Sequence, residues 1–298
     1  MKKFYYHARA MNRALVALLA GATCIALSPI FVRLSEAGPT ATAFWRVALA
    51  VPALWPLALL SGRAAQAPRL PRWLALAAGA AFAGDLGFWH TSIKLTSVAN
   101  STLLANLASI FVTLATWIFL GQRPSGVFVA GLGAALCGVA MLVNSSLAFS
   151  PTGLAGDLLG LVTALFYAGY ILAVKGLRDR GETTLRLMAA TSTVSALLLL
   201  PAALASGETF APATAAGWAT LLGLALVSHA AGQGLIAYAL AHLPAAFSSV
   251  SLLFQPVMAA LFAWLLLSEP LVPLQVAGGL VVLGGIYLAR RGSAPAPG

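Results

Sequence analysis

Long apolar runs, separated by short polar, proline- or glycine-bearing stretches, extend along the whole chain. Runs long enough to cross a bilayer fall near residues 13–33, 40–60, 73–93, 98–120, 125–143, 155–176, 184–205, 215–240, 245–267 and 271–289. In hydrocarbon a segment must satisfy its own backbone hydrogen bonds, which a helix does within itself. The pattern therefore predicts an all-α polytopic membrane protein with ten transmembrane helices. The breaks carry the expected punctuation: Gly38-Pro39, the Pro68 to Pro71 stretch, Arg123-Pro124, Ser150-Pro151, Pro212, Pro244 and Glu269-Pro270. No linker is long enough to hold a soluble domain.

Composition agrees with lipid as the main solvent. Of the 298 residues 60% are hydrophobic and 8% are charged, too few charges to clothe a water-facing surface. The net charge of +10 comes in short clusters between runs and not as a continuous basic stripe, so it reads as a topology signal and not as a nucleic-acid surface. With the N-terminus in the cytoplasm, the inner side receives Lys2, Lys3, Arg9, Arg13, Arg63, Arg69, Arg72, Arg123, Lys175, Arg178, Arg180, Arg186, Arg290 and Arg291. The outer side receives Arg33 and Lys94, leaving Arg46 within a helix. This 14-to-2 bias predicts that both termini are cytoplasmic, and removing one span would destroy it. The basic start leads directly into a full-length span without a distinct cleavage site, so the first helix is expected to be retained. Cys24 and Cys137 lie inside apolar runs and read as packing residues.

A shift of 147 residues superimposes the third to fifth spans on the eighth to tenth. It matches Gly87 with Gly234, Ser101 with Ser248, Trp117 with Trp264, Gly131 with Gly278 and Gly138 with Gly285. Each half, 1–148 and 149–298, then holds five spans. An odd number inserts the second copy upside down relative to the first, which predicts an inverted repeat with a binding site near the midplane between halves.

The stretch Ser97 to Leu120 followed by Gly121-Gln122-Arg123 resembles the end of an EamA repeat of the drug/metabolite transporter superfamily. So does Leu243 to Glu269, followed by Gln275-Val276-Ala277-Gly278 and Gly284-Gly285. Phe44-Trp45-Arg46 and Gly156-Asp157 also resemble family features. Ser109 stands where the family often has proline, as at Pro256, and Gln122 stands where it often has glutamate, as at Glu269. The resemblance implies a ten-helix carrier, commonly an exporter of amino acids, amines or other metabolites, including bacterial exporters of aromatic amino acids. It further implies a cavity lined by helices 1, 3, 4, 6, 8 and 9, with helices 5 and 10 as scaffold.

Ionisable groups inside spans cost roughly 2.5–3.5 kcal/mol on insertion scales, so they usually face a cavity or a partner. Asp85 and His229 occupy the middles of the third and eighth spans; His90 lies nearer the outer face, and Gln233 follows His229 by one turn. Asp85 suits an ammonium group or a proton. His90, His229, Gln233, Asn106 and Gln255 suit a carboxylate, although Asn106 and Gln255 serve equally well as glue between helices. Tyr167, Tyr170 and Tyr238 join the candidates because a buried hydroxyl needs a polar partner. The planar donor fork of Arg46 suits a carboxylate, but its place nearer the outer interface favours a structural anchor, with Asp85 or a backbone carbonyl as partner.

The expected function is a secondary transporter exporting amino acids, broadly and with aromatic and other apolar ones included, across the cytoplasmic (inner) membrane of a bacterium by alternating access. An exporter of cationic amines or drugs is the alternative among carriers; a channel or an intramembrane enzyme is the alternative from another class. No Walker loop, zinc spacing, dinucleotide fingerprint or nucleophile elbow is present, so neither enzyme activity nor cofactor nor metal is expected. The expected partners are a small-molecule substrate (an amino acid or amine) and the lipid bilayer, with no nucleic acid. His and Asp permit proton coupling, and the chain is expected to act as a monomer or weak dimer.

Overall fold

The computed structural model describes residues 2–61, 71–96, 98–143, 153–268 and 270–293, and every regular element among them is helical. Arg63, Arg69, Ser97 and Glu269, named above for charge sidedness and family resemblance, lie outside the described residues. In chain order the long helices are α1 (Met11–Leu34), α2 (Pro39–Leu60), α3 (Arg72–Leu95), α4 (Asn100–Leu120) and α5 (Gly126–Val143), followed by α6 (Leu154–Asp179), α7 (Thr184–Ala205), α8 (Ala215–Leu240), α9 (Ala245–Leu266) and α10 (Pro273–Ser293). Among the described residues nine of these, all but α3, are long and apolar enough to cross a membrane. At 24 residues α3 has the length. Its hydropathy is diluted by Asp85, His90 and the charged residues near its ends, so it departs from the expectation of uniformly apolar runs.

Helix packing follows the 147-residue shift. The contact of α3 with α6 has its counterpart in α8 with α1, that of α4 with α6 in α9 with α1, and that of α3 with α7 in α8 with α2. Further contacts join equivalent helices directly: α2 with α7, α4 with α9, and α5 with α10.

The closest of these contacts is the α5–α10 seam, where four glycines let two backbones meet. A Cβ on Gly131 would sit 2.7 Å from the Gly285 carbonyl oxygen, and one on Gly285 would sit 2.6 Å from the Gly131 oxygen. Further along, a Cβ on Gly138 would sit 2.6 Å from the Gly278 oxygen, and one on Gly278 would sit 2.7 Å from the Gly138 oxygen. Early positions of α5 thus meet late positions of α10, so the helices run antiparallel. Small residues at this spacing permit the close approach that drives helix association where lipid already solvates apolar side chains.

Several helices are interrupted. α1 breaks at Leu27 ahead of Pro29, and α2 breaks at Leu49 and Ala50 ahead of Pro52, because proline brings no N–H to the helical ladder. In α9 the break at Leu252 and Leu253 precedes Pro256. The Leu252 carbonyl that a fourth-residue N–H would have met is taken by the Gln255 N–H at 2.9 Å. α4 breaks at the corresponding place, Asn106 and Leu107, without a proline. There the Asn106 amide donates to the Thr102 carbonyl at 2.8 Å and the Ser109 hydroxyl donates to the Asn106 carbonyl at 3.0 Å. Side-chain groups that compete for backbone partners replace the imino acid. Both helices also end in a left-handed residue, Gly121 at φ 67° and Ser268 at φ 55°, another pair related by 147. α8 is wound as a π-helix from Leu224 to Gln233, a rare winding that often accompanies functional positions.

Arg290 donates to the Asn12 side-chain oxygen at 3.0 Å, bringing the end of α10 to the beginning of α1. At the opposite end of α1, the α1–α2 and α7–α8 connections clasp each other. Glu36 accepts from the Ala213 N–H at 2.9 Å and the Thr214 N–H at 3.1 Å, and also from the Thr214 hydroxyl. In return Glu208 accepts from the Thr40 N–H at 2.8 Å, and the Gly38 N–H donates to the Thr209 carbonyl at 2.8 Å.

Candidate functional site

A cavity of about 150 Å³ opens between the two halves. Its walls come from α1, α3, α4, α6, α8 and α9, the six helices implied by the family resemblance, and additionally from α2. The interrupted parts of three helices border it: Ser28 and Pro29 follow the break in α1, Asn106 lies in the break of α4, and Gln255 and Pro256 follow the break in α9. Irregular backbone at membrane depth is tolerated where it lines a cavity, since its freed polar groups then have somewhere to turn. The apolar part of the wall includes Ile25, Phe82, Leu86, Trp89 and Ala259.

Five of the nine residues singled out in the sequence meet here: Asp85, Asn106, Tyr167, Gln233 and Gln255. Tyr167 of α6, Gln233 of α8 and Gln255 of α9 line the same cavity, so these three helices present one polar surface. The other four lie off the wall. His229 is turned away to Ser192 of α7, its Nε2 2.8 Å from the hydroxyl, and its ring stacks on Phe82 with centroids 5.2 Å apart. Phe82 is its counterpart under the 147-residue shift. Tyr170 is buried behind the wall, its hydroxyl 3.9 Å from the Met188 sulfur. His90 is buried with Nδ1 2.6 Å from the Leu86 carbonyl. Tyr238 is 38% exposed near the C-terminal end of α8, beside His242 and apart from the cavity.

The largest departure from the sequence reading is Arg46. Expected as an anchor reaching outward, it is 5% exposed and lines the cavity. Its neighbour Trp45 explains the direction: the indole N–H donates to the Phe210 carbonyl at 2.7 Å, and its ring packs against Phe44, Phe210 and Trp218. The next residue along a helix points about 100° away, and here that direction is inward. The guanidinium carbon lies 6.0 Å from the Phe82 ring centroid, and Asp85 lines the same cavity from α3. The signal available in sequence was the charge itself, the one basic residue left within a span.

The sequence profile of the EamA-like transporter family matches residues 12–144 and again 154–291, nearly the whole chain. The chain belongs to the EamA-like transporter family. This EamA-like protein is 29% identical over 270 residues to an uncharacterized transporter of Archaeoglobus fulgidus, covering 87% of this chain and 91% of the relative. It is 29% identical over 283 residues to the pseudopaline exporter CntI of Pseudomonas aeruginosa, covering 93% and 95%. Over 192 residues, 64% of each chain, it is 30% identical to a probable terminal-alkyne amino-acid exporter of Streptantibioticus cattleyicolor. A crystal structure matches the fold with a TM-score of 0.79 at 17% identity, covering 97% of this chain and 98% of that one. The EamA-like chain is thus a multi-pass membrane transporter.

Proposed function

We propose that this EamA-like chain is a secondary exporter of amino acids, aromatic and other apolar ones included, working by alternating access in the cytoplasmic membrane of a bacterium. In this reading all ten helices span, residues 1–148 and 149–298 form two inverted five-helix repeats, and both termini are cytoplasmic. The observation that carries it is the cavity between the halves. That is the location an inverted-repeat carrier requires, because rocking one half against the other exposes such a site to each side in turn.

Further support comes from the two matches to the family profile and the antiparallel α5–α10 seam. The hydrogen bond between Asn12 and Arg290 supports termini on one side. Relatives named as exporters of pseudopaline and of a terminal-alkyne amino acid support the direction and the substrate class. With cytoplasmic termini, the clasp of Glu36 and Glu208 lies at the outer end. An exporter of cationic amines draws on Asp85 and the aromatic wall, but it must accommodate a guanidinium on the same cavity.

Protein reconstituted in liposomes should exchange labelled phenylalanine, leucine and similar amino acids across the bilayer. Absence of movement for every amino acid tried overturns the reading.

A further inference from the structure

Arg46 and Asp85 face the same cavity from α2 and α3. The ion pairs among the described residues do not join them. Among the described residues the Arg46 Nε is buried with no hydrogen-bond partner; the same holds for the Gln233 side-chain oxygen and the Gln255 side-chain nitrogen, whose residues line the same cavity from α8 and α9. Buried polar groups are nearly always satisfied, so donors and acceptors left over around one cavity describe the ligand that completes them.

The leftover set comprises one permanent cation with a planar donor fork, one carboxylate, an amide acceptor and an amide donor. Beside them are Phe82, Leu86 and Trp89. Guanidinium geometry matches a carboxylate bidentately, and a carboxylate matches an ammonium group.

We propose that Arg46 and Asp85 form a receptor for a zwitterion: the guanidinium holds the α-carboxylate of a free amino acid while Asp85 holds its α-ammonium. The substrate side chain lies on the aromatic and aliphatic wall. This assignment rests on the exporter reading and makes it specific. A zwitterion matches both buried charges one to one. The corresponding amine leaves Arg46 facing a cation with no anion between them, and the corresponding acid leaves Asp85 facing an anion. A site built to bond two groups rejects analogues lacking either, because its own buried groups are then left unmatched.

The test is competition against labelled phenylalanine in proteoliposomes by three ligands of one shape: phenylalanine, phenethylamine and 3-phenylpropionate. In the unmodified protein the amine and the acid should each compete about a hundredfold more weakly than phenylalanine. Arg46→Gln should weaken phenylalanine and raise phenethylamine relative to it by about tenfold or more, and Asp85→Asn should raise 3-phenylpropionate in the same way. Arg46→Lys keeps the rejection of the amine but binds phenylalanine less well, lacking the fork.

Amine or acid competing as well as phenylalanine in the unmodified protein overturns the receptor, a result that needs no variant to fold. Folded variants that weaken all three ligands equally overturn it too, since a structural role would act in that way. Liposomes that move amino acids without this discrimination leave the exporter reading standing; liposomes that move no amino acid remove both.

Discussion

Two of the places where the halves meet differ in kind. Along the α5–α10 seam the 147-residue correspondence is kept residue for residue: Gly131 against Gly285 repeats as Gly278 against Gly138. Around the cavity it is lost, because Asp85 corresponds to Gly232, Gln233 to Leu86, Gln255 to Ala108 and Asn106 to Leu253. The seam needs two identical surfaces, since backbone packing is the same problem from either side. On the proposed reading the cavity needs different groups on its walls, because a small solute with unlike ends presents different chemistry to each. Symmetry would then survive where the work is mechanical and disappear where it is recognition.

The sharpest way to break this comparison is to place a side chain in the seam. Gly138→Leu meets the Gly278 carbonyl and the Val282 N–H, each 2.6 Å from its Cβ. Backbone atoms yield less than side chains, so the cost should exceed the roughly 1–3 kcal/mol of ordinary overpacking. Little monodisperse protein should survive on size-exclusion in detergent. Gly133→Ala, on the same helix with nothing within 4 Å, should express and elute like the parent. Equal behaviour of the two variants would falsify the seam as the structural contact.

At the cavity the order reverses, with folding kept and transport lost. Asp85→Asn should leave elution and melting close to the parent while lowering amino-acid exchange about a hundredfold. Smaller losses, about three- to tenfold in transport KM, are expected for Gln255→Leu and Asn106→Ala, since a neutral hydrogen bond contributes about 0.5–1.5 kcal/mol. Measured KM and melting temperatures for this series separate the two regions; parallel losses in both readouts would merge them.

Nine apolar helices among the described residues and five cavity-lining residues were legible in the sequence, because depth in a regular helix follows from residue count and charge is scarce. Arg46 escaped because Trp45 is pinned to the loop beyond α7 through the Phe210 carbonyl, a partner 165 residues away that sets the helix rotation. His229 escaped for a similar reason. Ser192 on α7 receives its ring, and a residue's depth does not say which neighbour it faces. The break at Asn106 and the π winding of α8 have no proline to announce them. They depend on local competition for carbonyls and on packing.

Finer effects probe the clasp and the caps. Hydrogen bonds from the Thr214 hydroxyl and backbone hold Glu36 below the usual carboxylate range. Its contribution is thus complete above the ordinary carboxylate pKa and is lost only as pH falls through the lowered value. The distance between spin labels on an Ala37→Cys, Ala213→Cys pair in the clasp should therefore be constant through neutral and mildly acidic pH and lengthen in stronger acid. A lengthening already at neutral pH would show that another group controls the contact. The smallest change is at the helix ends. Ser268 holds a left-handed conformation that Gly121 adopts without strain, so Ser268→Gly should raise stability by about 0.5–1 kcal/mol, visible as a slightly higher melting temperature.

The crossed glycine pairs have a further consequence. A contact in which residue i meets j and the copy of j meets the copy of i is isologous, the kind a surface makes with itself. In the proposed inverted arrangement, a single five-helix unit inserted both ways up could form such a seam with its twin. A homodimer of that kind would carry every substitution twice, and an arginine on one wall would bring a second on the other. Joining the copies in one polypeptide keeps the self-complementary seam and lets each wall change alone. One guanidinium and one carboxylate across a single cavity are therefore an arrangement that fusion makes accessible.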